Sequence, residues 1–375
     1  MRVLHTSDWH LGRSFHRESL LPAQATFVDH LVETVRSERV DVVVVSGDVY
    51  DRALPSVDAV ELCNQALRRL VDARVRTVLI SGNHDSARRL GFGADLIDAA
   101  GVHLRTDPAR VGEPVTVGDV AFYGIPYLEP ELVRGPWELP ERTHTAAVGH
   151  AMSLVRADLA RRGPRSVVLA HAFVTGGRAS DSERDISVGG VAHVPLSAFD
   201  GVDYVALGHL HGRQRMSETV RYSGSPIAYS FSEAGQVKGS WLVEIGPGGY
   251  EGAEFVEAPV PRPVGRLRGR IDDLLSSPGH ARYEDHWLQV VLTDPIRPRG
   301  AMERLRSRFP HTLALSFEPE GGAGDTAVRP RIAGRPEIEV VLDFVREVRG
   351  EAADPDETLL LRRAVEDSRA REAMA

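Results

Sequence analysis

Short, unbroken apolar runs punctuate the first two thirds of the chain, and each closes on small or polar residues. The run at 42–45 leads into Ser46-Gly47-Asp48, and 77–80 leads into Ser81-Gly82-Asn83-His84. Likewise 166–170 leads into His171, and 203–207 into Gly208-His209. Continuous β-branched and aliphatic runs predict strands covered on both faces, as in a layered α/β architecture. Between them the apolar spacing predicts helices over 23–36, 57–71 and 145–161, with Pro22 and Pro55 at helix starts, where proline is tolerated.

After Leu207 the pattern changes. Segments 221–231 and 240–245 read as sheet strands joined by glycine-rich turns, and the proline-spaced stretch 259–263 reads as a linker. A small α+β unit follows, with strands expected at 287–292 and 312–317 and a helix at 300–308 between them. Residues 318–331, rich in Gly, Pro and charge, read as a connection. Two helical patterns close the chain. Val341, Phe344, Val345 and Val348 share one stripe, and Leu360, Leu361, Ala364 and Val365 form a shorter one after Asp354-Pro355-Asp356.

Composition narrows the class. At 375 residues the chain can form one large domain and a smaller one. There is no long apolar run to cross a bilayer and no signal-peptide pattern at the start, so a cytoplasmic protein is expected. Cys63 is the only cysteine, which excludes an intramolecular disulfide and a thiolate cluster. The net charge of −8 argues against coating nucleic acid through a global field, although bound cations or a partner can supply local positive charge. Lys238 is the only lysine among 45 basic residues.

Five segments at the ends of apolar runs carry oxygen and nitrogen metal ligands: Asp8-x-His10, Gly47-Asp48-x-x-Asp51, Gly82-Asn83-His84-Asp85, His171 and Gly208-His209-x-His211. Singly, each has a plainer reading as a turn, a cap or a buried imidazole. As an ordered series at strand ends they predict a cluster on one sheet edge, because loops converge beyond the carboxyl ends of strands. Carboxylate, amide and imidazole donors without sulfur suit Mn²⁺, Fe²⁺ or Zn²⁺. Glycines 47, 82 and 208 are expected to permit sharp turns and close approach. The x-spaced pairs are expected to point the same way, as alternate residues of an extended chain do. Asp85 reads either as a partner for an imidazole or as a turn residue. Trp9 reads as packing, and Arg88, Arg89, Arg178 and Arg184 as phosphate contacts or solvated side chains.

This series resembles the calcineurin-like metallophosphoesterases. Within that family the segments Thr6-Ser7-Asp8-Trp9-His10-Leu11-Gly12, Ala170-His171-Ala172-Phe173-Val174-Thr175-Gly176-Gly177, Asp181-Ser182-Glu183-Arg184, Val188-Gly189-Gly190-Val191 and 203–211 are similar to the SbcD branch of double-strand-break-repair nucleases. The resemblance implies a β-sandwich flanked by helices over 1–257, a capping domain over 264–320, and C-terminal helices over 334–375 that bind an SbcC-type, SMC-like ATPase. It implies that Asp8, His10, Asp48 and His211 hold one ion and that Asp48, Asn83, His171 and His209 hold a second, with Asp48 bridging and manganese as the metal. His84 takes the place of the family's catalytic histidine, outside the ligand set. Asp51 departs from relatives that carry a histidine there. The implied activity is two-metal hydrolysis of DNA at ends and hairpins, both as double-strand exonuclease and as single-strand endonuclease. The implied setting is a homodimer within a heterotetramer at the nucleoid. The competing readings are a phosphoesterase for small substrates and a DNA-end-binding scaffold.

Overall fold

The computed structural model describes residues 1–163, 165–186, 193–320 and 336–372. Two six-stranded sheets dominate it. In the first, the order is Gly249–Glu257, Gly239–Gly246, Arg2–Thr6, Val42–Ser46, Arg76–Ile80 and Val102–Leu104. The last four of these strands run parallel to one another, while Arg2–Thr6 pairs antiparallel with Gly239–Gly246. In the second, the order is Gln214–Arg215, Val220–Tyr222, Tyr204–Gly208, Ser166–His171, Val120–Ile125 and Val115–Val117.

The side-chain alternation of a strand explains why the runs are wholly apolar. Val42 and Val44 point between the sheets, where they join Val3, Val78, Ile80, Phe122, Val167 and Leu169. Val43 and Val45 point the other way, into a core with Phe27, Leu31, Ala66 and Leu70. Those last residues come from the helices Leu21–Ser37 and Val57–Asp72. The second sheet does the same: Val168 and Ala170 pack with Ala147, Ala151, Met152 and Val155 of the helix His144–Arg162. The result is a helix–sheet–sheet–helix sandwich, the layered fold that the sequence pattern calls for.

One expected strand comes out shorter. Only Val220–Tyr222 of the 221–231 segment is a strand; the following residues form a loop that buries Ser223 and Ser225. The capping segment gains a strand, Val264–Gly269, which pairs parallel with Trp287–Leu292; that strand in turn pairs parallel with Thr312–Phe317. Arg266 and Arg268 face out of Val264–Gly269, so only Leu267 among its inner positions carries an apolar signal into the local core. That core comprises Leu267, Ile271, Leu274, Leu288, Val290, Leu292, Leu305 and Phe309. The capping segment meets the sandwich through Val264, Trp287, Leu313 and Ala314, which pack on Phe15, Leu20, Ile227, Tyr229 and Phe231.

Contacts divide the chain into two compact units. The first is Met1–Thr293 with Arg297–Phe317, so it includes the sandwich and the three-stranded capping sheet. The second is Asp294–Ile296 with the described residues from 318 onward. It consists chiefly of the helices Glu337–Arg349 and Pro355–Glu372. Gly350 ends the first helix in a left-handed conformation. Asp354 and Glu357 start the next with a reciprocal capping pair: Glu357 N–H donates to Asp354 Oδ1 at 2.8 Å, and Asp354 N–H to Glu357 Oε2 at 2.9 Å. The connection from 321 to 331, the segment Val188-Gly189-Gly190-Val191, and the ends of the expected C-terminal region at 334–335 and 373–375 lie outside the described residues.

Candidate metal centre

The parallel strands Arg2–Thr6, Val42–Ser46 and Arg76–Ile80 end on the same edge as Ser166–His171 and Tyr204–Gly208 of the facing sheet, and the ligand-bearing loops meet there. Asp8, His10 and His211 bring donor atoms within reach of one another, as do Asp8, Asp48 and His171. His10 Nε2 lies 3.0 Å from His211 Nε2 and 3.5 Å from Asp48 Oδ2. On the other side of Asp48, His171 Nε2 is 3.6 Å from the same oxygen. Asn83 Oδ1 completes that half, 2.9 Å from His171 Nε2 and 3.1 Å from His209 Nδ1. Asp48 thus stands between the two groups, and the seven residues picked out as ligands converge on one centre, six of them buried and Asn83 partly so.

Local backbone geometry makes this possible. Asp8, His10, Asp48 and His209 all have positive φ, at 54°, 45°, 49° and 109°. Such conformations cost non-glycine residues on the order of 1–3 kcal/mol each and concentrate at functional sites. They also correct the expectation for the x-spaced pairs. Asp8 and His10 lie beyond the end of their strand and converge through left-handed turns, not through the alternation of an extended chain. The three glycines are explained mainly by close approach. A Cβ on Gly82 would sit 2.1 Å from Asp48 Oδ1, one on Gly208 1.9 Å from the Ser46 carbonyl oxygen, and one on Gly47 2.4 Å from His171 Nδ1.

The imidazoles are held from behind. His171 Nδ1–H donates to the Ser46 carbonyl at 2.9 Å, leaving Nε2 for the centre. His211 Nδ1 lies 2.6 Å from Ser182 Oγ. His84 Nδ1–H donates to the Asp51 carbonyl at 2.8 Å, which leaves its Nε2 uncommitted. His84 also lies within ligand reach of His10 and Asp48.

Burial is the main force on the charges. It pushes the Asp8 carboxyl well above the usual range, and the neighbouring Asp48 adds to the shift. It holds His10 and His209 well below the ordinary imidazole value, with other histidines of the cluster adding to the effect. His171 and His84 are lowered by burial as well, against an opposing pull from Asp48. Unprotonated imidazoles are the form that binds a metal. The buried Nδ1 of His10 has no hydrogen-bond partner, and its Nε2 faces another imidazole nitrogen beside two buried carboxylates. A divalent cation held at His10 Nε2 would separate the two facing imidazole nitrogens and offset the two carboxylates, and the donor set fits a borderline divalent ion.

The remaining sequence candidates fall into place. Asp85 accepts backbone N–H groups from Val49, Tyr50 and Gly82 at 3.1, 2.9 and 2.9 Å, so it staples the loops and does not orient an imidazole. Burial, with Asp48 nearby, pushes its carboxyl up to about 7. Trp9 is fully buried, packs edge-on against Phe27 and donates to Thr6 Oγ1 at 3.0 Å, which is a packing role. Asp51 lies 3.5 Å from Arg13 and 3.9 Å from His10 Nδ1. Arg89 donates to the Ala53 carbonyl, whereas Arg88 lines a cavity of about 960 Å³ that starts at Asn83 and continues past Tyr127 to Trp137. Arg178 lines a second cavity of about 780 Å³ with Arg213 and Arg215, which follow shortly after His211 in the chain. The charge of Arg184 acts on His84. Sequence reasoning missed Glu233, Lys238 and the role of Ser182. Burial would raise the Glu233 carboxyl, but Lys238 and then His211 outweigh it and hold the group far below its ordinary value.

A layered sandwich whose facing strand ends gather carboxylates, an amide and imidazoles defines a dinuclear-type hydrolase centre. The sequence profile described as calcineurin-like phosphoesterase matches residues 1–213, more than half of the chain. The chain belongs to this family of metal-dependent hydrolases of phosphoester bonds. Among solved structures it is similar to a dimetal phosphatase from Danio rerio, at 14% identity over 69% of this chain and 99% of that one, with a TM-score of 0.41. It is also similar to TT1561 of Thermus thermophilus, at 14% identity over 60% and 89%, with a TM-score of 0.37. A third likeness is to GAP50, the anchor in the inner membrane complex of Plasmodium, at 12% identity over 85% and 98%, with a TM-score of 0.37. Among the described residues no helix is long and apolar enough to cross a membrane.

Proposed function

We propose that this chain is a DNA nuclease of the SbcD type, cutting DNA ends and hairpins together with an SbcC-type, SMC-like ATPase. The full ligand series around Asp48 with His84 beside it supports the phosphoesterase chemistry, and the segments similar to the SbcD branch carry the step from phosphoester to DNA. Asp8, His10, Asp48 and His211 would hold one ion, and Asp48, Asn83, His171 and His209 the other. A pair of divalent ions, manganese in this proposal, supplies when bound Lewis-acid neutralisation of the phosphoryl oxygens and a water of lowered pKa. His84, its ring fixed by the Asp51 carbonyl, orients the phosphate and stabilises the leaving oxygen through Nε2.

Two further features support DNA over a small substrate. A cavity lined by Arg178, Arg213 and Arg215, the last two shortly after His211 in the chain, suits a chain of phosphates. The tail helices leave Phe344, Val348 and Leu360 at 62%, 70% and 65% exposure, as a docking stripe for the ATPase requires. Homodimerisation and association with the nucleoid belong to the same proposal.

The test is hydrolysis of an end-labelled DNA duplex with Mn²⁺ by wild type, Asp48→Ala and His84→Ala, with bis-p-nitrophenyl phosphate as a small diester. DNA cleavage by wild type and its loss in both variants is expected. A chain shortened at Gly334 should keep small-diester hydrolysis and lose ATP-stimulated DNA cleavage. Wild type that cleaves the small diester but leaves DNA intact, even with the ATPase and ATP, would establish the small-substrate reading instead.

A further inference from the structure

The single lysine of this arginine-rich chain is buried directly behind the metal centre. Lys238 Nζ donates to the His211 carbonyl at 2.8 Å, Ser225 Oγ at 3.0 Å and Gln236 Oε1 at 2.9 Å, and it pairs with Glu233 Oε2 at 2.5 Å. The other oxygen of Glu233, itself 1% exposed, accepts from Ser182 Oγ at 2.6 Å. Ser182 Oγ in turn lies 2.6 Å from His211 Nδ1. Because the hydroxyl proton goes to the carboxylate, the oxygen is left to accept, so His211 must carry its proton on Nδ1. Its Nε2 then presents a lone pair to the centre.

We infer that Lys238, Glu233 and Ser182 form a positioning relay that fixes the tautomer and aim of His211 and so sets the affinity of one metal site. The inference rests on the reading of His211 as a ligand. The relay is a carboxylate–histidine arrangement with a serine hydroxyl interposed, and loss of such outer partners costs ~10–100-fold in metal affinity. It also joins distant parts of the chain. Ser182 comes from the loop after His171, where Glu183 Oε1 accepts the backbone N–H of His211 at 2.8 Å, while Glu233 and Lys238 precede the strand Gly239–Gly246. Lysine suits this point because a compact ammonium can share its three N–H donors among four acceptors converging on one atom, whereas a planar guanidinium spreads its donors over three nitrogens.

The experiment is calorimetric titration of the full chain with Mn²⁺ in wild type, Ser182→Ala, Ser182→Thr, Lys238→Arg and His211→Ala, with thermal unfolding of each metal-free protein alongside. Ser182→Ala should weaken one of two sites ~10–100-fold while the metal-free protein, though less stable, still unfolds in one cooperative transition, because the Glu233–Lys238 pair stays intact. Ser182→Thr should restore the affinity, and Lys238→Arg should lose it despite conserving charge. Wild-type affinity in Ser182→Ala and Lys238→Arg, with His211→Ala weakened, overturns the relay alone. Wild-type affinity in His211→Ala overturns the ligand reading beneath it.

Discussion

Asp48 Oδ1 accepts the backbone N–H of His84 at 2.8 Å, while Asp48 Oδ2 faces His10 and His171 at 3.5 and 3.6 Å. One carboxylate therefore fixes the turn that carries the uncommitted imidazole and also supplies the oxygen midway between the two ligand groups. Loss of the side chain disturbs both.

The two roles separate in Asp48→Asn, which keeps an acceptor oxygen but removes the charge. Burial first, and then the charge of Asp48, raises the Asp8 carboxyl, so the two acids disfavour each other's ionised form in this centre. Metal-free Asp48→Asn should therefore unfold at a higher temperature than metal-free wild type. The rise in Tm on adding Mn²⁺ should shrink, because that rise follows the ratio of ion concentration to Kd. Scanning calorimetry with and without Mn²⁺ reads both effects. An Asp48→Asn protein that gains as much from Mn²⁺ as wild type would remove Asp48 from the ligand set.

Gly82→Ala tests the close approach around the same carboxylate. Its added methyl would meet Asp48 Oδ1 at 2.1 Å and Asp48 backbone nitrogen at 2.4 Å, neither of them the end of a long flexible chain. Overpacking of this kind costs about 1–3 kcal/mol, so denaturant unfolding should show that loss together with weaker Mn²⁺ binding. Gly135→Ala, with open space around its Cβ, is the control and should leave Mn²⁺ binding unchanged.

Much of this was legible in the sequence because the physics is local. The strand 42–46 declares itself by four consecutive valines, and both of its faces are indeed covered, by Phe27 and Leu31 on one side and Phe122 and Leu169 on the other. The candidate ligand series is legible because acids and imidazoles at strand ends have few structural uses in such a sequence order. What stayed hidden depends on long-range contacts. Ser182 meets His211 and Glu233 across 29 and 51 positions of chain, and nothing in Phe231-Ser232-Glu233 marks the glutamate as buried. The strand Val264–Gly269 was hidden for another reason: its outward arginines and flanking glycines leave no apolar run to detect. The left-handed turns at Asp8 and His10 are fixed by the partners their backbone meets, with Asp8 N–H donating to Gly47 and His10 N–H to Asp48.

A pH dependence of stability follows from His5, which lies fully buried between the sheets. Its Nε2–H donates to the Leu207 carbonyl at 3.0 Å, and Nδ1 accepts from the Tyr204 hydroxyl at 2.9 Å. Burial lowers its pKa from 6.5 to about 3, so the native state excludes a proton that the unfolded state binds throughout that window. The stability tied to the neutral ring is whole above pH 6.5 and drains away as the pH falls toward 3, by ~1.4 kcal/mol per pH unit at most. His5→Gln removes the titrating group, so the difference between its stability and that of wild type should narrow as the pH drops from 7.5 to 5. Urea titrations at those two pH values measure it, and a constant difference would show that His5 is no proton-linked element.

The role of His84 can be read from two numbers measured on the same variant. Its Nδ1–H is committed to the Asp51 carbonyl, so the ring is aimed by a backbone atom while Nε2 is free to meet the substrate. A group acting in the transition state lowers kcat when removed and leaves ion binding alone, whereas a ligand takes the ion with it. His84→Ala should therefore reduce kcat on bis-p-nitrophenyl phosphate by ~10²–10⁴ with Mn²⁺ affinity near that of wild type. The comparison has force because His84 lies within ligand reach of His10 and Asp48, so position does not decide the matter. Affinity falling in step with kcat would move His84 into the ligand set and leave the leaving oxygen to another donor, with Arg184, whose charge acts on His84, the first to substitute.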